Sequence, residues 1–234
     1  MKPAAVALAA LAAGQALPSA TAIAPLRAAV APGLAGRAEG RHIALTFDDG
    51  PDPRSTPAFL DLLAQEGRRA TFFLLGSQAA DHPDLVRRIV ADGHEVALHG
   101  WIHRCVLAIP PGTLTRQLRA GRSLLEDLTG QRVEHYRPPY GVLGTEALIA
   151  CRRLGLTPVL WTAWGREWEW GATADTVVTT ATRRLRPGGT LLLHDTDLHA
   201  PHGDWRRTHE ATRRLLRGDL ATAEVGPLRE HRAA

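Results

Sequence analysis

Short apolar runs alternating with amphipathic stretches predict a single-domain α/β protein built on parallel strands. Two observations carry that expectation. About seven β-then-α units follow one another along the 234 residues, a pattern that joins parallel strands by right-handed helical crossovers. Asp48, Asp49, His99, Arg137, Trp161 and His194 all fall at or just beyond the ends of different expected strands. Periodicity alone leaves an open doubly wound sheet and a closed barrel both available. Strand ends converging on one face favour the barrel.

The first strand lies in His42 to Pro51, where Ile43, Leu45 and Phe47 alternate with Ala44 and Thr46. It stops at Asp48 and Asp49, with Gly50 and Pro51 as breakers. Turn chemistry alone accounts for Asp, Gly and Pro here. Because successive strand residues point to opposite sides, two carboxylates at a strand end are expected to divide their duties unless the turn re-aims one. Helices are expected over Thr56–Arg69 with Ser55 as N-cap, Pro83–Ala91, Leu114–Leu128, Thr145–Leu154, Thr173–Leu185 and Trp205–Arg217. Strands are expected over Ala70–Leu75, Glu95–Leu98, Val133–Tyr136, Pro158–Thr162, Thr190–Leu193 and Thr222–Val225.

The apolar fraction of 44% and charged fraction of 22% are those of a globular domain and exclude disorder as the main theme. The net charge of +4 and pI near 9.8 come from arginines scattered along helices, with no interleaved aromatic and basic motif, so no nucleic-acid partner is expected. Cys105 and Cys151 are far apart and form no CxxC, which predicts free, buried thiols and neither a disulfide framework nor a thiolate zinc site. Met1 and Lys2 precede an Ala-rich run, Ala4 to Ala13, and Ala20-Thr21-Ala22 offers a small-residue cleavage pattern. Residues 1–40 therefore read as a signal-like segment and linker, 41–228 as the domain and 229–234 as a tail. Export or attachment to the cell envelope follows, with membrane contact through the N-terminal segment. A cytoplasmic protein follows if that segment is no signal.

His99 and His103 form an HxxxH pair, which shares one face if it lies on a helical turn. Imidazoles suit zinc, iron or cobalt, and a carboxylate from Asp48 or Asp49 completes a three-ligand set with an open position. Arg137-Pro138-Pro139-Tyr140-Gly141 is a loop stiffened by proline, with a guanidinium fork for a carboxylate and a free Tyr140 N–H. Leu191 to Asp195 ends an apolar strand in His194, whose ordinary pKa suits proton transfer. A metal at such a site lowers the pKa of its water towards ~7 and polarises a carbonyl. An Arg beside Asp48 favours the ionised carboxylate that a base requires.

Together TFDDGP at Thr46–Pro51, HxxxH at His99–His103, RPPYG at Arg137–Gly141 and LLLHD at Leu191–Asp195 resemble the polysaccharide deacetylases, the NodB-homology domains of carbohydrate esterase family 4. The likeness runs from about Arg41 to Leu228. It implies a distorted (β/α) barrel, usually seven-stranded, that removes N- or O-linked acetyl groups from polysaccharides with a divalent metal, commonly Zn2+ and alternatively Co2+ or another ion. By motif match, Asp49, His99 and His103 hold the metal and Asp48 is the general base. Arg137 orients Asp48, the Tyr140 N–H stabilises the oxyanion and His194 is the general acid.

The chain also departs from the family. Gly100 follows the first histidine where Ser or Thr is usual, so a hydroxyl that steadies the ligand loop is missing. The DxxDW motif appears as Trp164-Gly165-Arg166-Glu167-Trp168, leaving Glu167 to pair with His194 or a nearby Arg. Trp161 is expected in the core, and Trp168, Pro138 and Leu193 along the substrate groove, with the aromatic corner a wall for sugar rings or an apolar acyl group. Asp197, His199 and His202 are within reach of substrate, though the sequence favours a solvated loop. The expected partner is an acetylated glycan and the expected state a monomer. Two alternatives remain on the same barrel: a non-catalytic glycan binder, and a metallohydrolase of another non-peptide C–N bond.

Overall fold

Phe47 is wholly buried between Phe59, which meets it edge-on at 5.2 Å, and Phe72, which stacks on it at 5.2 Å. Such aromatic pairs add about 0.5–1.5 kcal/mol each beyond their burial. Phe47 lies on an interior strand of the sheet in the computed structural model, which describes residues 13–231. The strands are β1 (Ile43–Asp48), β2 (Thr71–Leu75), β3 (Glu95–Gly100), β4 (His135–Tyr136), β5 (Thr157–Pro158), β6 (Ala163–Trp164), β7 (Thr190–His194) and β8 (Val225–Gly226). The α-helices given bounds among the described residues are α1 (Ala24–Val30), α2 (Thr56–Gln65), α3 (Gly76–Asp81), α4 (Pro83–Ala91), α5 (Thr113–Thr129), α6 (Thr145–Leu154), α7 (Ala174–Arg184) and α8 (Trp205–Arg217). Every residue of β1, β2 and β3 is buried, as in parallel strands covered on both faces.

Seven strands run in the order β5-β4-β3-β2-β1-β7-β6, all pairings parallel, and β8 pairs with the start of β1. The two ends of this curled sheet are consecutive in sequence, so the architecture is the expected distorted barrel. Its strands are not all the expected ones. The single strand expected over Pro158–Thr162 is divided: β5 pairs with β4, β6 pairs with β7, and Leu160 and Trp161 between them leave the ladder.

That break is stable because its polar groups find other partners. Arg137, with no exposed surface, donates from Nε to Val159 O at 3.3 Å and from Nη2 to Leu160 O at 2.8 Å. Leu160 N–H donates to Leu34 O at 2.6 Å, and Arg27, itself buried, donates to Trp161 O at 2.9 Å. The stretch expected as a linker is therefore fastened across the gap, and Thr190 Oγ1 adds a hydrogen bond to Gly36 O at 2.6 Å. Residues 13–40 pack as part of the domain. The Ala4–Ala13 run, save Ala13, lies outside the described residues. No helix among them is long and apolar enough to cross a membrane.

The expected tail is likewise tied down as far as it is described: Arg229 N–H donates to Glu95 Oε2 at 2.9 Å, and His231 Nδ1 lies 2.8 Å from His42 Nδ1. Helix α3 was absent from the sequence expectation, and α2 stops at Gln65, short of Arg69. Ser55 stands at the N-cap of α2 without a side-chain cap. Both cysteines are free, but only Cys151 is buried; Cys105 is half-exposed.

Candidate active site

The C-terminal ends of β1, β3 and β7, with the loops after β4 and β6, surround one cavity of about 350 Å³. Asp48 is the last residue of β1 and lies in register with His194 at the end of β7. Strict alternation sends Asp49 to the opposite side, but its φ of 79° takes it out of extended geometry, and both carboxylates line the cavity. Tyr140 and Arg166 are the other non-glycine residues with positive φ among those described, at 61° and 56°. All three sit in loops bordering this cavity or beside its walls, as backbone strain commonly does at functional sites.

The HxxxH pair is not helical. His99 belongs to β3, and His103 stands in the bend beyond it. Gly100 turns the chain between them with φ 109°, a conformation that side chains rarely adopt, which accounts for glycine where a hydroxyl residue is usual. Asp49 Oδ1 lies 3.1 Å from His99 Nε2 and 3.4 Å from His103 Nε2. Neither approach has hydrogen-bond geometry, so Oδ1 is a buried acceptor without a donor. Three donor atoms within 4.8 Å of one another, one of them an orphaned carboxylate oxygen, fit a divalent cation. Burial raises the Asp49 carboxyl, but the close approach and charge of His99, with the charges of His194 and His103, outweigh it and hold the group below the ordinary range. Burial and the neighbouring imidazoles bring His103 down to about 4 against the pull of Asp49, so its ring is neutral at pH 7 with a lone pair to give.

Arg137 ties the Asp48 side of the site together. Its Nη1 donates to Asp48 Oδ1 at 2.6 Å and to Thr46 Oγ1 at 2.8 Å, with Asp48 almost wholly buried. The same guanidinium thus fills the break after β5 and orients the carboxylate. On the opposite wall His194 Nδ1 lies 2.8 Å from Glu167 Oε1. Burial pulls His194 down, but Glu167, through its hydrogen bond and charge, together with Asp49 and Asp48, pushes it up to about 9. The ring is therefore an imidazolium at neutral pH. Tyr140 is exposed, and its N–H has no partner among the described residues, since the turn there is closed by Gly141 and Val142 donating to Pro138 and Pro139.

Behind the carboxylate pair lies Asp195, fully buried and accepting from Thr56 Oγ1. Burial and the charge of Asp49 raise it to about 7 against that hydrogen bond.

The family is decided by comparison with known sequences: the polysaccharide deacetylase profile matches residues 35–159. The chain belongs to the polysaccharide deacetylase family. Among its relatives, the chitooligosaccharide deacetylase of Bradyrhizobium sp. (strain ANU 289) is 37% identical over 175 residues, covering 74% of this chain and 78% of that protein. A family 4 carbohydrate esterase from Streptomyces lividans, solved with acetate, superposes with TM-score 0.70 at 30% identity, over 84% of this chain and 98% of that one. A peptidoglycan N-acetylglucosamine deacetylase solved with 4-naphthalen-1-yl-N-oxidanyl-benzamide superposes with TM-score 0.76 at 29% identity, over 86% and 92%. The protein is a polysaccharide deacetylase with the curled seven-stranded barrel of these enzymes.

Glu167 and His194 lie beyond the profile match, and it is geometry that brings them to the other residues. Trp168 and Pro138 line the cavity. Leu193 does not: strand alternation turns it into the hydrophobic core, and its neighbour Leu192 faces the cavity instead. Trp161, expected in the core, is a half-buried part of the cavity wall beside Trp164, with rings 5.5 Å apart. His199, expected in a solvated loop, is exposed, and it also lines the cavity and stacks on His103. The sequence offers His199 only as a loop residue able to reach substrate; its stacking on His103 depends on contacts between loops far apart in the chain. Trp205, at the start of α8, closes the aromatic wall.

Proposed function

We propose that this deacetylase hydrolyses the N-acetyl group of acetylated glucosamine units in a glycan such as a chito-oligosaccharide, with a divalent cation, most simply Zn2+, at Asp49, His99 and His103. The observation that carries the reading is the meeting in one cavity of three parts: that ligand set, the Arg137-bound Asp48 and the Glu167-bound His194. Similarity to a chitooligosaccharide deacetylase supports the glycan class. When bound, the cation supplies Lewis acidity to the acetyl carbonyl and acidifies water.

The chain's own groups do the rest. Asp48, steered by Arg137, accepts a proton from the attacking water. The unpaired Tyr140 N–H donates to the carbonyl oxygen as negative charge develops there. His194, protonated and oriented through Nδ1, gives a proton from Nε2 to the departing amine. Pro138, Leu192, Trp161 and Trp168 wall the cavity with apolar surface. The test is acetate release from N-acetylchito-oligosaccharides by purified protein, with and without a chelator and with Zn2+ restored. Chelator-insensitive release refutes the cation, and release of ammonia or formate in place of acetate refutes the bond assigned.

We extend this reading to export through the N-terminal Ala-rich run, motivated by Lys2 ahead of the apolar stretch and the small-residue pattern Ala20-Thr21-Ala22. N-terminal sequencing of the protein from cell fractions tests it.

A further inference from the structure

The loop after β7 is fastened to the loop after β1. Thr196 Oγ1 donates to Asp52 Oδ2 at 2.7 Å, and Leu198 N–H donates to Thr196 Oγ1 at 3.2 Å. Arg54 bridges the two loops, pairing with Asp52 at 2.8 Å and with Asp197 at 2.9 Å. A turn closed by Ala200 N–H on Asp197 O at 3.1 Å then brings His199 over the cavity. Its ring lies flat on that of His103, with centroids 4.5 Å apart and planes 10° from parallel.

His103 needs such support more than His99 does. It stands in a bend outside any strand or helix, whereas His99 is held in β3 and almost wholly buried. Histidine ligands are ordinarily fixed by a hydrogen bond from their second ring nitrogen. Among the described residues, no side-chain or backbone group hydrogen-bonds to His103 Nδ1, and Nε2 is the nitrogen turned to Asp49. What holds the ring is aromatic packing: His199 on its face, and Tyr140 edge-on at 4.6 Å. We propose that His199 is a positioning residue, which keeps the His103 imidazole in its ligating orientation by stacking on it. This rests on the reading of Asp49, His99 and His103 as a cation site.

The experiment is Zn2+ affinity, measured by competition with a chromophoric chelator, for the unsubstituted protein, His199→Ala and His199→Phe. Loss of an orienting neighbour weakens metal binding about tenfold or more. His199→Ala is expected to bind Zn2+ about tenfold more weakly, and His199→Phe, which keeps a flat ring and removes both nitrogens, to bind within about twofold of the parent. Unchanged affinity in His199→Ala overturns the inference and leaves the cation site standing. Equal losses in Ala and Phe variants also overturn it, because they assign the effect to an imidazole nitrogen. If the unsubstituted protein takes up no Zn2+, the cation site fails and this inference with it.

Discussion

Replacing Glu167 with Gln removes one negative charge beside His194 and keeps an oxygen able to accept from its Nδ1. His194 stands at about 9 against an ordinary 6.5: burial lowers it, and Glu167 is first among the groups that raise it. A hydrogen bond to a charged group contributes about 1.5–3 kcal/mol. At about 1.4 kcal/mol per pKa unit, losing that charge lowers His194 by about 1–2 units. The alkaline limb of acetate release from an N-acetylchito-oligosaccharide should then move from near 9 to about 7–8. A phenyl acetate with a good leaving group needs no proton, so its hydrolysis should keep the parent profile. An unmoved limb on the amide substrate, or an equal shift on both substrates, refutes His194 as the acid. The linkage also has a fixed sign for stability. A folded-state pKa above the unfolded one stabilises fully below about pH 6.5, and that contribution is lost as pH rises through about 9, so the parent should lose more stability over this interval than Glu167→Gln.

Four further substitutions separate the parts of the site. Asp48→Asn should suppress turnover by about 10²–10⁴-fold while Zn2+ still binds, whereas His103→Ala should lose Zn2+; equal loss of metal in both, read by chelator competition, contradicts the base assignment. Arg137→Met should destabilise by about 3–5 kcal/mol in urea unfolding, because it strands the buried Asp48 carboxylate and frees the Val159 and Leu160 carbonyls; a smaller change means water replaces the guanidinium. Gly50→Ala should cost about 1–3 kcal/mol by the same measurement, since a Cβ there meets the Asp195 carboxylate oxygens at 2.7 and 2.8 Å.

Where the sequence was legible, local chemistry and final geometry coincide. Phe47, Asp48 and Gly50 announce a buried strand ending in a turn, and β1 ends there. Trp205–Arg217 has the periodicity and flanking Asp204 of a helix, and α8 has the expected bounds. Where it was not legible, a partner remote in the chain decides. Val159 to Thr162 is as apolar and β-branched as a strand, yet Leu160 and Trp161 leave the ladder: Arg137, some 22 residues earlier, binds the Val159 and Leu160 carbonyls, and Leu34, from the stretch expected as a linker, accepts the Leu160 N–H. The same dependence moves Trp161 out of the core: once its segment is unladdered, alternation no longer assigns its side. His103 likewise takes its place from Asp49, Tyr140 and His199, and the helical spacing of HxxxH has no part in it. Arg137 therefore couples architecture to chemistry. The guanidinium that allows the barrel to break after β5 is the one that aims Asp48, so loss of strand regularity at that point and control of the carboxylate are a single structural fact.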